Sequence, residues 1–373
     1  MLVVGARPQL IKSAPLVREI LDNHHGLNLD IIHTGQHYDK EMSAVFFEEL
    51  HLPQPSANLK VGSGSHAKQT AMMMSRLEPF MIATRPDIVL VPGDTNTTLA
   101  AAVVAAKLCI PLAHLEAGLR SGDMNMPEEV NRILTDHCSS FLFAPTRTAI
   151  SNLEREGLGR YAYLTGDTNA DALRILAPIV TKMEKAIMKR HQLVSQNYVL
   201  VTVHRPSNVD DPTRLARILA ALKFVSKTRR IVFPVHPRTR ARLAKLKAFD
   251  KETKEKLLIR PQGFIETLVL LKNACCLLTD SGGMQKESFM VHTPCLTLRS
   301  STEWPETLAG GANRLVASPE ELPRLITKIA FDQSVRHRLK TLRNPFGDGH
   351  ASSRIAKIIQ ATRILGVSLQ TCN

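Results

Sequence analysis

The segment Leu277-Leu278-Thr279-Asp280-Ser281-Gly282-Gly283-Met284-Gln285-Lys286-Glu287 carries the most pointed chemistry in this chain. An apolar run ends in small residues and then turns helical. The first free N–H groups of such a helix, with the Ser281 hydroxyl and the bare backbone of Gly282 and Gly283, make an anion site. Glu287 falls one helical turn further in, where a carboxylate suits sugar hydroxyls better than phosphate. The spacing points to a phosphate and a ribose held side by side. The competing reading is a generic α/β connection, because a strand–turn–helix with two glycines is common.

Cations stand at two other segments. Gly5-Ala6-Arg7-Pro8-Gln9-Leu10-Ile11-Lys12 follows a short apolar run. Arg7 and Lys12 could neutralise a diphosphate, or belong to a solvated loop. The segment is neither Gly-x-Gly-x-x-Gly nor a Walker pattern, which disfavours a dinucleotide fingerprint or a P-loop. Val201-Thr202-Val203-His204-Arg205-Pro206 places His204 and Arg205 at another strand end. There His204 is either a phosphate contact, a general acid or a satisfied buried histidine.

Carboxylates supply the remaining chemistry. Asp94 lies in Pro92-Gly93-Asp94-Thr95-Asn96-Thr97-Thr98, where Asp94 or Thr95 could instead cap the next helix. Glu116, in His114-Leu115-Glu116-Ala117-Gly118-Leu119-Arg120-Ser121-Gly122-Asp123, ends an apolar strand. A charge there is costly unless it is paired or used. Met126-Pro127-Glu128-Glu129-Val130-Asn131-Arg132 opens a helix, and Glu128 and Arg132 are four apart and can pair. Asp94, Glu116 and Glu128 together suit proton transfer at two faces of a sugar. His33 and His37 have a metal-like spacing, but they span a strand end and a loop, so no metal is expected.

These residues need a scaffold that brings strand ends together. Apolar runs recur at Leu2–Gly5, Leu29–Thr34, Ile88–Pro92, Pro111–Glu116, Phe141–Ala144 and Ala162–Gly166. A second series follows at Tyr198–Val203, Ile231–Val235, Leu257–Arg260, Cys275–Thr279 and Cys295–Leu298. Helical patterns such as Asn96–Leu108 and Pro127–Cys138 fall between them. Alternation of this kind predicts parallel sheets covered by helices, and two series predict two doubly wound α/β domains. The expected division is 1–168 and 169–351. A final helix, from about 352 towards 373, follows the turn Asn344-Pro345-Phe346-Gly347-Asp348-Gly349 and is expected to return to the first domain. Ligands of such sheets bind beyond the carboxyl ends of the strands, which predicts a site in the cleft between the domains.

Composition narrows the class. The 373 residues are 44% hydrophobic and 22% charged, enough for two packed cores and too apolar for disorder. No apolar run is long enough to span a bilayer and no charged-then-apolar leader is present, so the expectation is a soluble cytoplasmic protein without membrane insertion. The opening strand is short, as though a few residues preceded Met1. Of the six cysteines, several sit in apolar runs and none forms Cys-x-x-Cys, which reads as core residues in a reducing compartment. Lys and Arg exceed Asp and Glu by 48 − 34 = 14. With aromatics at 5% and the basic residues mixed with acids at helical spacing, solvated helix faces account for most of this excess and nucleic acid is not expected. A basic cleft attracting an acidic substrate accounts for some of the rest.

Taken in order, Gly-Ala-Arg-Pro-Gln, Gly-Asp-Thr-Asn-Thr-Thr, His-Leu-Glu-Ala-Gly-Leu-Arg, Pro-Glu-Glu-Val-Asn-Arg and Thr-Asp-Ser-Gly-Gly-Met-Gln-Lys-Glu resemble the non-hydrolysing UDP-N-acetylglucosamine 2-epimerases. The resemblance runs from Gly5 to Gly349. It implies the glycosyltransferase-B architecture of two Rossmann-like domains, a homodimer, and no added cofactor. It also implies interconversion of UDP-N-acetylglucosamine and UDP-N-acetylmannosamine by loss and return of UDP through a 2-acetamidoglucal. On this resemblance Arg7, Lys12, His204, Ser281, Gly282 and Gly283 hold the diphosphate, Glu287 the ribose, and Gln262 and Phe264 lie near uracil. Asp94, Glu116 and Glu128 form the acid/base set, and Arg132 positions Glu128.

Many family members have Thr-Glu-Arg-Pro-Glu where this chain has Thr302-Glu303-Trp304-Pro305-Glu306. That version, with Thr34-Gly35-Gln36-His37-Tyr38-Asp39 and Gly62-Ser63-Gly64-Ser65-His66, is similar to a subgroup containing epimerases of 2,3-diacetamido glucuronic acid sugar nucleotides, which is the alternative substrate. The Gln-Pro-Gly-Gln-like segment associated with activation by substrate is missing near 62–70. A hydrolysing epimerase, a glycosyltransferase of the same architecture and a non-catalytic UDP-sugar sensor complete the alternatives. The last two have less use for the three carboxylates.

Overall fold

The computed structural model describes residues 1–23, 26–36, 52–235, 237–246, 257–332 and 334–364. The chain divides into two units, 1–175 with 344–373, and 176–343.

The first unit is built on a seven-stranded sheet. Its strands are β1 (Leu2–Val4), β2 (Ile31–His33), β3 (Ala57–Asn58), β4 (Val89–Pro92), β5 (Leu112–Leu115), β6 (Phe141–Ala144) and β7 (Ala162–Leu164). All pairings are parallel, in the order β3-β2-β1-β4-β5-β6-β7. The order reverses between β1 and β4, so the chain leaves these two neighbours in opposite directions and opens a crevice at their carboxyl ends. The central strands β1, β4, β5 and β6 are buried along their whole length, as strands covered by helices on both faces must be, and His114 is the one ionisable residue among them. Small residues let one of these helices pack closely: Ala100, Ala101, Ala102 and Ala105 of the Asn96–Lys107 helix are wholly buried in this core.

The second unit repeats the plan with β8 (Tyr198–Thr202), β9 (Arg230–Pro234), β10 (Leu258–Ile259), β11 (Cys276–Thr279), β12 (Cys295–Thr297) and β13 (Asn313–Leu315). The order is β10-β9-β8-β11-β12-β13, again parallel, and it reverses between β8 and β11. Val199, Val201, Leu219, Leu278 and Leu296 lie in its core. Cys275 and Cys276 are packed in that core, while Cys109 is exposed at a left-handed backbone position rather than buried.

All eleven expected strands form, each within a residue or two of its predicted ends. The edge strands β3 and β13 were not anticipated, being two and three residues long with too little apolar pattern to stand out. The division at 175/176 falls inside the Thr168–Arg190 helix rather than at its start. The first turn of that helix is tied to the Ala351–Ile364 helix: Asp171 accepts the backbone N–H groups of Ala351 and Ser352 at 2.9 and 2.7 Å. A buried carboxylate at that helix N-terminus satisfies donors that have no partner within the helix.

Candidate functional site

In the first unit, the candidate side chains Lys12, Asp94, Glu116 and Arg132 gather beyond β1, β4 and β5, where the strand order reverses. The β1 loop is held by Gln9, whose Oε1 accepts from the N–H groups of Gly5 and Ala6 at 2.8 and 3.1 Å. Its Nε2 donates to the Pro92 carbonyl at the end of β4 at 3.0 Å. Gly5 has no room for a side chain, since a Cβ would stand 2.1 Å from the Thr34 hydroxyl. Arg7 opens the following helix and is half-buried. One turn later Lys12 forms an ion pair with Glu116.

Glu116 follows β5 directly, is buried, and takes φ +69°. The left-handed region costs a non-glycine residue about 1 kcal/mol or more, so the surroundings must enforce it. Gly118, at φ +80°, is the second bend of the same turn, and a Cβ there would collide with the Ala149 carbonyl at 2.4 Å.

Asp94 lies two residues beyond β4. The N-cap role belongs to Thr95, whose side chain accepts from Thr98 N–H, and this leaves the Asp94 carboxylate to a different partner. Arg132 Nη2 meets Asp94 Oδ2 at 2.5 Å, and Nη1 meets Glu129 Oε2 at 2.7 Å. The expected pairing of Arg132 with Glu128 is therefore corrected. Asp94 and Glu129 take the guanidinium fork, because Arg132 is buried on the face that Glu129 shares three residues away, while Glu128 is only half-buried. Asn131 from the same helix donates to the Asp94 carbonyl at 2.9 Å.

These pairs shift the acids. Burial pushes Asp94 up, but Arg132 and Lys12 more than offset it and hold its carboxyl below the usual 3.8. Burial also raises Glu129, and the N–H groups of Ser121 and Gly122, with Arg132, bring it below the usual 4.5. Asp136 follows the same logic, with His114 and Arg120 outweighing burial. A carboxylate with a lowered folded pKa binds protons more readily when unfolded. Its contribution to stability is complete above the ordinary carboxylate value and is lost as pH falls through the folded one. Denaturation midpoints are therefore expected to hold from pH 7 to 5 and fall progressively below pH 4. A midpoint unchanged between pH 5 and pH 3 would contradict this.

The second unit presents its own switch point. Asp280 follows β11, is wholly buried, and accepts from the N–H groups of His204 at 3.1 Å and Arg205 at 2.9 Å. Asn208 Nδ2 adds a third donor at 2.9 Å. This pins the loop after β8 beside the turn after β11. His204 is not the satisfied buried histidine of one sequence reading. Its side chain is 47% exposed, with Nδ1 3.3 Å from Asp280.

Ser281 is the N-cap residue of the Gly282–Met290 helix and makes no side-chain cap bond. Glu287 is buried on the Gly283 side of that helix, its Oε1 3.8 Å from where a Gly283 Cβ would stand. Gly282 is packed so tightly that a Cβ would lie 2.1 Å from Glu303 Oε1. Phe264 is buried at the start of the Phe264–Asn273 helix, and Gln262 Nε2 bonds the Arg260 carbonyl at 2.6 Å. Both follow β10, which β9 and β8 separate from β11 and its turn.

The chain thus has two doubly wound sheets, with acids and a lysine at one switch point and, at the other, a helix N-terminus against which Glu303 packs. A family model described as UDP-N-acetylglucosamine 2-epimerase matches residues 19–360. The chain belongs to the UDP-N-acetylglucosamine 2-epimerase family. A UDP-N-acetylglucosamine 2-epimerase homolog of Methanococcus maripaludis is 44% identical over 96% of this chain and 98% of its own length. A UDP-2,3-diacetamido-2,3-dideoxy-D-glucuronate 2-epimerase of Pseudomonas aeruginosa is 41% identical over 96% of this chain and 98% of its own. Among solved structures, the Methanocaldococcus jannaschii UDP-GlcNAc 2-epimerase, crystallised with UDP-GlcNAc and UDP, matches with TM-score 0.89. It is 43% identical over 96% of this chain and 99% of that one. The fold class is thus α/β, two Rossmann-like units of the glycosyltransferase-B type.

The resemblance puts a cation where this chain has Trp304. The ring is buried, and the Lys286 ammonium lies 4.1 Å from its centroid. The expected cation at 304 is replaced by a ring that receives a buried cation from the neighbouring helix. Glu303 is held by Arg299 at 2.7 Å and lies 3.8 Å from Arg205. The sequence alone suggests for Glu129 only a place at the positive end of its helix, and no role for Asp136, Asp280, Lys286 or Glu303. Only Asp280, between an apolar strand and Ser281-Gly282-Gly283, carries the signal that marks Glu116, a charge at the end of an apolar run; the others lie in polar helical or loop sequence. His37, half of the discounted metal spacing, lies outside the described residues.

Proposed function

We propose that this epimerase interconverts UDP-N-acetylglucosamine and UDP-N-acetylmannosamine without hydrolysis. The observation that carries the reading is the set of ionised groups at the first switch point: Glu116 paired with Lys12, and Asp94 held by Arg132. A carboxylate removes the C2 proton while the C1–O bond breaks and its electrons leave with UDP. The C1=C2 double bond of a 2-acetamidoglucal forms. A second group returns a proton to the opposite face of C2 as the phosphate oxygen adds back to C1. The sum is an isomerisation and needs no oxidant or reductant.

Asp94, Glu116 and Glu128 are the acid/base set. Ser281, Gly282, Gly283 and His204, with Arg7 and Lys12, bind the diphosphate. Glu287 binds the ribose, with Gln262 and Phe264 towards the base. Donors fixed in place at a helix N-terminus stabilise departing UDP without reorganisation. Retaining the glucal until UDP returns is as important as the proton transfers.

The 41% identity to the diacetamido-glucuronate epimerase, close to the 44% of the N-acetylglucosamine relative, supports a second substrate with the same mechanism. Incubation in D2O with each UDP-sugar, followed by NMR at C2, decides between them. The expected result is deuterium at C2 with the 2-epimer formed from UDP-N-acetylglucosamine. Exchange with the diacetamido uronate alone selects the second substrate, free N-acetylmannosamine selects hydrolysis, and exchange with neither rejects the reading. Among the described residues no helix is long and apolar enough to cross a membrane. We place the enzyme in the cytoplasm as a homodimer, which sedimentation at micromolar concentration tests.

A further inference from the structure

We propose that His114 and Asp136 form a buried imidazolium–carboxylate pair that positions both Asp94 and Glu116 for proton transfer. The catalytic purpose of the pair rests on the epimerase reading above; its existence rests on geometry alone.

His114 lies on β5 and is wholly buried. Its Nδ1 is 2.6 Å from Asp136 Oδ1 and its Nε2 is 2.7 Å from the Gly93 carbonyl oxygen. A carbonyl and a carboxylate are both acceptors, so each ring nitrogen carries a hydrogen and the ring is cationic. Asp136 is ionised in turn, because its Oδ2 accepts from Gly118 N–H at 3.0 Å and meets Arg120 Nη1 at 2.7 Å. Beyond it Glu156 accepts from Arg120 Nε and Nη2 at 2.8 and 2.7 Å, and the exposed His137 stands 3.5 Å from Glu156. Asp136, Glu156 and Arg120 alone sum to one negative charge, and a cationic His114 balances it.

The contacts grip two reacting segments at once. Asp136 binds at 114, 118 and 120, on both sides of Glu116, and so holds the turn in which Glu116 takes φ +69°. His114 passes the restraint to the carbonyl of Gly93, the residue before Asp94. The helix carrying Asp136 also supplies Arg132 and Asn131 to Asp94. His114 and Asp136 are positioning residues: they act through Asp94 and Glu116.

The test uses the full chain labelled with 15N-histidine. The His114 signals are identified among 14 histidines by their loss in His114→Gln. Both ring nitrogens are expected to be protonated at pH 7.5, and a nitrogen with a free lone pair overturns the pair. Glutamine keeps a donor where Nε2 faces Gly93, whereas asparagine keeps one only where Nδ1 faces Asp136. Through misplacement of Asp94, His114→Asn is expected to lower kcat about 100-fold and His114→Gln only about tenfold, with KM and UDP affinity within about threefold of wild type. Equal losses in the two variants, or wild-type kcat in both, overturn the positioning route. A wild-type protein that exchanges no C2 hydrogen overturns the epimerase reading and the catalytic purpose with it, while the NMR spectrum still decides the ion pair.

Discussion

Glu116→Gln is expected to abolish hydrogen exchange at C2 while leaving UDP binding intact. The substitution preserves the shape of the side chain and removes the charge that Lys12 neutralises. An amide can neither take a proton from carbon nor carry one back, and loss of a general acid–base group costs about 10²–10⁴-fold. We expect the upper end of that range, because the C2 proton is weakly acidic and no second carboxylate occupies the Glu116 position. Lys12 stays close to Asp94, whose carboxylate it already influences, so the vacated cation keeps a negative neighbour. UDP affinity measured by calorimetry is expected to remain within about threefold, because Ser281, Gly282, Gly283 and Glu287 are untouched and Lys12, the partner of Glu116, keeps its charge for the diphosphate. Turnover by the glutamine variant within about tenfold of wild type would remove Glu116 from the acid/base set.

Arg132→Met is expected to produce the largest loss of stability among single substitutions at the site. The guanidinium is buried and joins Asp94 to Glu129, whose side chain is 1% exposed. Methionine fills much of the same volume but leaves Glu129 charged, buried and dependent on neutral donors, the N–H and hydroxyl of Ser121 and the N–H of Gly122. Stranding a buried ion by removing its partner costs about 3–5 kcal/mol. Arg132→Lys is expected to lose less, since an ammonium keeps the charge but cannot offer a planar fork to two carboxylates. Urea denaturation at pH 7 measures both, and a methionine variant within about 1 kcal/mol of wild type contradicts the assignment. The same substitution is expected to lower kcat, because Asp94 loses the group that orients it.

The periodic elements were legible because burial on both faces leaves parallel strands with continuous apolar runs, and the shortness and aromatic and β-branched content of Tyr198–Thr202 and Phe141–Ala144 mark them as strands. The anion turn at 281–283 was legible for a related reason: glycines at a strand–helix junction leave backbone donors uncovered. Glu128 with Arg132 shows where such reasoning stops. Spacing of four on a helix allows a pair, but Asp94, arriving from another strand, competes for the same guanidinium and takes it.

By itself, the order of residues determined the two α/β units, the polarity of their sheets and the chemical type of each strand end, since these depend on local pattern and on the burial that pattern demands. It also placed the carboxylates and the anion turn just beyond the strands. Which charges meet was decided only by the tertiary structure. Strand order puts β1, β4 and β5 side by side, so Lys12 meets Glu116 across 104 residues and Arg132 meets Asp94 across 38. Electrostatic pairing depends on distance in space, and a parallel sheet makes neighbours of strand ends that are far apart along the chain.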